Sequence, residues 1–224
     1  MSLTYTTYKA AIETLAAEQA SDSNWTTILP QVIEYAESRI CRELDMIGLV
    51  RRDTTSTLTA NDRDFTLPTP SGGTWDVVSE INLIISSTRT PLAKISLAAM
   101  NMLWPAEAAP STTSVPTYYA PVTDTAIVVG PSLGASAGTA TVEVVGKIRP
   151  TPISGSNATN YISTDYPDLL LAASMVFISG YQRNFGAQAD NPQQAMSWEM
   201  QFKTLLASAQ AEEKARAGFP MVVG

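Results

Sequence analysis

The sequence predicts an α+β fold: a helical bundle formed by the N- and C-terminal helices, with a small β-sandwich or barrel domain inserted between them. Three observations predict it. Residues 1–48 and 163–217 carry apolar side chains at helical spacing. Residues 49–162 hold 18 of the 26 threonines and most of the 14 prolines, a composition suited to pleated, half-buried strands and the loops between them. Only 16% of the 224 residues are charged, against roughly 25% in an average soluble domain, so Ser, Thr and Ala form much of the surface. The predicted divisions are the two bundle parts, 1–48 and 163–217, the β insertion 49–162, and an extended C-terminal tail, 218–224.

The first helix is predicted from about Thr4 to Gln19, with Tyr5, Tyr8, Ile12 and Leu15 on one face. Asp22, Ser23 and Asn24 read as a polar break. Pro30 suits a first helical turn and predicts the start of the second helix. Ile33, Glu37, Ile40, Leu44 and Ile47 share its stripe, and Gly48 suits the left-handed residue that ends a helix. Strands are predicted near 52–59, 63–67, 76–86, 125–130 and 139–149. Asn61-Asp62 marks a turn, Ser96 caps a short helix through Leu103, and residues 106–117 form a long loop. The third helix is predicted from Pro167, capped by Thr164 or Asp165 and closed by Gly186. Its apolar run, Leu169 to Ile178, predicts burial on most sides. The fourth starts at Asn191-Pro192 and stops at Gly218, with Ala195, Trp198, Phe202, Leu205 and Ala209 as a packing seam.

Composition excludes much chemistry. The chain has no histidine and a single cysteine, Cys41, so Ser-His-Asp and Cys-His catalysis, histidine metal sites and CxxC redox chemistry are absent. Cys41 reads as a core thiol. The longest apolar run is half of what a membrane-spanning helix needs, about 20 residues. No membrane partner and no cofactor are therefore expected, and a soluble chain made in a cytoplasm is. The net charge of −7 offers no basic face for nucleic-acid binding. Asp62 and Asp64 beside Arg63 are the nearest thing to an acid–base pair, and hairpin-turn chemistry explains them as well. Asp165 and Asp168 read as helix caps. Tyr118, Tyr119, Trp104 and Trp75 suggest a sugar platform or core packing. Arg183 either pairs with a neighbouring chain or complements its helix C-terminus.

Several stretches, in order, carry a resemblance. They are Ala36-Glu37-Ser38-Arg39-Ile40-Cys41-Arg42-Glu43-Leu44, Phe65-Thr66-Leu67-Pro68, Pro116-Thr117-Tyr118-Tyr119 before Ile127-Val128-Val129-Gly130-Pro131, Tyr161 through Leu171, and Trp198-Glu199 with Phe202. Over residues 8–217 the chain resembles the head-to-tail adaptors, or connectors, of short-tailed, SU10-like bacteriophages. The resemblance implies a structural virion protein at the head–tail junction, without catalytic residues and with a β domain inserted in a helical bundle. It implies a homo-oligomeric ring of twelve copies under the portal protein, joined to a tail nozzle protein. Double-stranded DNA would pass through its channel, without specific binding, during ejection.

Partner contacts are expected in two places. Phe219, Pro220, Met221, Val222 and Val223 form an apolar tail beyond the helix stop. It is expected to lie in a groove or against a strand of a partner chain, with portal docking as its role. Trp198, Phe202, Leu205 and Arg183 are expected in helix packing and the ring interface. Acidic groups of the helical parts are expected to face the channel, where they repel DNA phosphates. The alternatives are a different neck or tail component, a carbohydrate-binding module built on the β insertion, and a sparse carboxylate glycosidase.

Overall fold

The computed structural model describes residues 2–16, 23–106, 108–181 and 192–218. The chain is a mixed α+β protein that divides into two compact units, Met1–Leu49 with Arg149–Gly224, and Val50–Ile148. Among the described residues there are six helices and two four-stranded sheets, and neither sheet closes into a barrel. No helix among them is long and apolar enough to cross a membrane.

The helical unit is built on α5 (Pro167–Tyr181), which packs against α1 (Tyr5–Ala16), α2 (Ser23–Glu43), α4 (Tyr161–Asp165) and α6 (Pro192–Arg216). Leu169, Leu170, Ala172, Ala173, Ser174, Met175 and Ile178 of α5 are all buried, as a run apolar on every side requires. Its one polar core group is satisfied: the Ser174 hydroxyl lies 2.7 Å from the Tyr8 hydroxyl and donates to the Leu170 carbonyl. Trp25 of α2 donates its indole N–H to Glu13 of α1 at 3.1 Å. Cys41 is buried.

Three helix boundaries differ from the sequence expectation. α2 begins at Ser23, not Pro30, and Pro30 lies inside it. A proline there removes a backbone hydrogen bond. Trp25, Ile28 and Leu29 extend the buried stripe on its N-terminal side, and their burial offsets that loss. The short helix α4 precedes α5, so Thr164 and Asp165 lie within a helix. Asn160 caps α4, in a reciprocal box with Ser163. Gly48 does not adopt the left-handed conformation. It sits in a 3₁₀ turn, Ile47–Leu49, against the Tyr161 ring, where any Cβ would collide with the ring. Ile47 itself is exposed, because α2 has already ended at Glu43. The expected helix over 17–19 and the Gly186 stop lie outside the described residues. Gly218, with φ 81°, ends α6 as expected.

The β unit joins β1 (Val50–Thr59), β8 (Thr139–Pro150), β3 (Gly73–Ile85) and β4 (Thr88–Pro91) in one sheet, in that order. The second sheet runs β2 (Asp64–Thr66), β7 (Ala126–Gly130), β6 (Tyr118–Pro121), β5 (Ala93–Lys94). β1 pairs antiparallel with β8 from Val50↔Lys147 to Thr59↔Thr139, interrupted between Asp53 and Ser56. There the Asp53 carboxylate accepts from the Thr55 amide and hydroxyl at 2.8 and 2.6 Å, a local bond that competes with the ladder. Leu58, Leu83, Val142 and Val144 of one sheet and Phe65, Tyr119, Ile127 and Val129 of the other share one core. β4, β5 and β6 were not expected. β4 follows a two-residue turn at Ser86-Ser87, both with positive φ (47° and 67°), a geometry that Asn-Gly signals and Ser-Ser does not. β5 and β6 are short and pair in parallel. Helix α3 (Leu97–Leu103) is capped by Ser96, as expected.

Gly48→Ala should cost about 1–3 kcal/mol, the usual penalty of overpacking, read as a lowered urea midpoint with an unchanged slope. Combining it with Tyr161→Ala should cost less than the sum of the two single changes, because the obstructing ring is gone.

Candidate functional site

Four acidic residues organise the structure, and each joins segments far apart in sequence. Glu213, on the last turns of α6, is 3% exposed. One of its oxygens accepts from the Ile47 amide at 2.8 Å, and the other from the hydroxyls of Tyr161 and Tyr166. Arg216 bridges Glu213 and Asp165, at 3.4 and 2.8 Å. Burial, reinforced by Glu213, pushes the Tyr161 phenol up to about 12 and raises that of Tyr166 as well.

Glu37, buried on α2, accepts from Asn160 at 2.8 Å and from the Ile153 amide at 3.3 Å, while its second oxygen has no hydrogen-bond partner. Burial pushes its carboxyl up to about 7, against the pull of those two donors. Two residues further along α2, Arg39 forks onto both oxygens of Glu199 at 2.8 and 2.7 Å and binds Glu43 at 2.8 Å. Its guanidinium lies 4.1 Å from the Phe202 ring centroid. Arg39 holds the Glu199 carboxyl below the usual carboxylate range. The fourth acid, Glu143, belongs to the β unit. It is 1% exposed and takes Asn82 at 3.0 Å, Arg89 at 2.9 Å and Arg52. The two arginines and the asparagine cover it.

The residues singled out for chemistry serve the fold. Arg63 donates to the Trp104 carbonyl at 3.1 Å, tying the Asp62–Asp64 turn to the loop after α3. Asp168 accepts from the Leu169 amide, and Asp165 pairs with Arg216. The four aromatics do not make one platform. Trp104 and Tyr118 pair at 5.6 Å, whereas Trp75 and Tyr119 line a separate groove.

The expected contact residues separate by burial. Phe202 is fully buried in its own chain, beneath Arg39, with Leu206 and Ala209 on the same buried face. Trp198 and Leu205 are half-buried. The buried seam thus passes through Leu206 rather than Leu205, a shift of one position from the heptad-like expectation. Met196 and Met200, each 68% exposed, lie one turn apart on an outward strip of α6 that sequence reasoning did not single out. Methionine four residues from methionine was the available signal. Arg183 and Phe219, Pro220, Met221, Val222 and Val223 lie outside the described residues.

Within the helical unit, two of the stretches that carried the family resemblance meet, and a third reaches the end of α6. Arg39 of the α2 stretch holds Glu199 and covers Phe202, and Tyr161 and Tyr166 hold Glu213. The family model described as SU10 adaptor protein matches residues 3–224. No curated protein matches the chain.

Arg39→Ala should lower stability by about 1–2 kcal/mol, the scale of a charge-assisted fork that is only partly buried. For a chain of this size that lowers Tm by roughly 2–4 °C per kcal/mol. Arg39→Lys should recover less than half, since an ammonium neither spans both Glu199 oxygens nor stacks on Phe202.

Glu37 sets a pH dependence. The folded chain keeps its proton to about pH 7, and the unfolded chain releases it near the ordinary carboxyl value of 4.5. The folded state therefore binds more protons between those values. The contribution of Glu37 is complete below the lower value and is lost as pH rises through the upper one. Between pH 5 and 8 the wild type should lose on the order of 1–3 kcal/mol more than Glu37→Gln, measured by urea unfolding at each pH.

Proposed function

The chain belongs to the SU10 adaptor protein family, structural adaptors of bacteriophages, and from that premise we propose that it is a head-to-tail adaptor. In this reading it forms a ring beneath the portal, joins it to the tail nozzle and forms part of the conduit for double-stranded DNA. The observation that carries the reading is the span of the match, residues 3–224, which takes in both units rather than one common module.

The charge distribution supports it. Acidic residues outnumber basic ones by 13 to 8 in residues 1–49 with 149–224, and by 8 to 6 in residues 50–148. A ring of such chains presents DNA with a repelling wall, which lets it pass without sticking. The helical unit corresponds to the bundle of the family and residues 50–148 to its β insertion. Copies contact one another through Trp198, Leu205 and Arg183, with Met196 and Met200 on the same helix as Trp198. Phe202 serves packing within each copy, and residues 219–223 are an arm for a partner chain.

The test is the native mass of the portal ring of the same phage, with and without this chain. A gain of twelve copies of 24.0 kDa is the expected outcome. No gain, with the chain remaining apart from the portal, would move it to another position in the neck or tail.

A further inference from the structure

The strongest unassigned feature is a cleft of about 500 Å³ in the β unit. That volume is within the range of about 300–1,000 Å³ typical of ligand-holding clefts. Trp75 and Val78 of β3 line it from one sheet. Lys94 of β5 and Tyr119 of β6 line it from the other, with Asp124 in the turn before β7.

Tyr119 gives the cleft a polar group without a protein partner. The residue is 6% exposed, and its ring belongs to the core shared by the two sheets. Its hydroxyl makes no hydrogen bond among the described residues, yet the oxygen is not sealed from solvent. Burial raises its phenol above the ordinary value, so it keeps its proton and can donate. Lys94 and Asp124 are exposed and form no ion pair among the described residues. The Thr123 hydroxyl, also in the wall, accepts from the Thr125 and Ala126 amides at 3.3 and 2.9 Å. Those bonds fix the turn and leave the hydroxyl hydrogen free to donate. Trp75 is held in place as well. Its indole N–H donates to the Pro68 carbonyl at 2.7 Å, and its ring lies against Gly146, where an added Cβ would come within 3.2 Å of it. With its one polar group occupied, the indole offers the cleft apolar surface alone.

The charges select the ligand. An apolar occupant would strip water from Lys94 and Asp124 and return no hydrogen bonds. An anion would meet the carboxylates of Asp76 and Asp124, and a cation would meet Lys94. A neutral molecule rich in hydroxyls can donate to the acids and accept from the lysine, the phenol and the threonine. An apolar C–H face on the same molecule suits the indole and its neighbours Leu67, Ile81 and Ile127. A hexose has both properties. We propose that this cleft binds a neutral hexose saccharide, held by Lys94, Tyr119, Thr123 and Asp124 and packed against Trp75. The site lies within the β unit and is independent of the head-to-tail reading.

Tyr119→Phe is the informative variant, because it keeps the core ring and removes only the unpaired hydroxyl. Its Tm should equal or exceed that of the wild type, so a loss of binding is not a loss of fold. Maltose, cellobiose, lactose and melibiose are titrated separately into the isotope-labelled full chain, and amide and indole shifts are followed. The expected result is saturable shifts with at least one sugar, centred on Trp75, Lys94, Tyr119 and Asp124. Tyr119→Phe should weaken that binding roughly threefold to tenfold, and Asp124→Ala by about tenfold or more, the scales of a neutral and a charged hydrogen bond. No saturable shift with any of these sugars, shifts that map elsewhere, or unchanged affinity in both variants would overturn the proposal. So would shifts at these residues on adding the portal when no sugar produces them, because the cleft would then be a protein contact. The native mass with the portal tests the head-to-tail reading separately.

Discussion

A buried carboxylate must be matched by donors, and the helical unit is arranged around that requirement. Glu213 is nearly sealed from water, and each of its oxygens is held by groups from elsewhere in the chain, the Ile47 amide and the Tyr161 and Tyr166 hydroxyls, with Arg216 of its own helix beside them. Losing one such partner leaves a polar group that neither water nor protein satisfies, which is costly in a low-dielectric interior. Ile47 is 166 positions from Glu213. The acid therefore does more than stabilise α6; it specifies which part of the distant N-terminal segment α6 must meet. Gly48 belongs to the same constraint, because Tyr161 reaches Glu213 across the space that a Cβ on residue 48 would fill.

The arrangement recurs along α2. Glu37 ties α2 to Ile153 and Asn160, and Arg39 ties it to Glu199. Each is a long-range bond between the segment before the β unit and the segment after it, so the helical unit is discontinuous in sequence and continuous in bonding. Glu143 plays the same part in the β unit, where it gathers Arg52 from β1, Asn82 from β3 and Arg89 from β4 under one carboxylate. Apolar burial supplies most of the driving force in both units. The acids select among the ways in which the apolar faces could pair.

Much of this was legible in the sequence. The helical spacing of Tyr8 and Ile12, the apolar run of α5, the Ser96 cap and the stop at Gly218 all appear in the structure where expected. The misplacements have physical causes. Pro30 signals a helix start only when nothing N-terminal to it is buried, and Trp25, Ile28 and Leu29 are buried. Gly48 looked like a helix cap because a sequence does not show close approach of a distant ring. β4 was missed because a left-handed turn at Ser86-Ser87 has no compositional signal. Glu37 fell on the apolar stripe of its helix, whereas Glu213 looked like one of several charges at a helix end; the partners of both are visible only in the tertiary structure. The exposed strip at Met196 and Met200 left only a weak signal in the sequence, two methionines four positions apart.

The central claim is that Glu213 locks the two sequence-distant parts of the helical unit into one body. Amide hydrogen exchange on the wild type and on Glu213→Gln tests it directly. The account predicts that, in the variant, exchange accelerates together at Ile47, across α4 and in the last turns of α6, while Leu58, Val142 and Val144 of the β core keep their protection. Unchanged exchange at Ile47, or acceleration spread equally over both units, would contradict it.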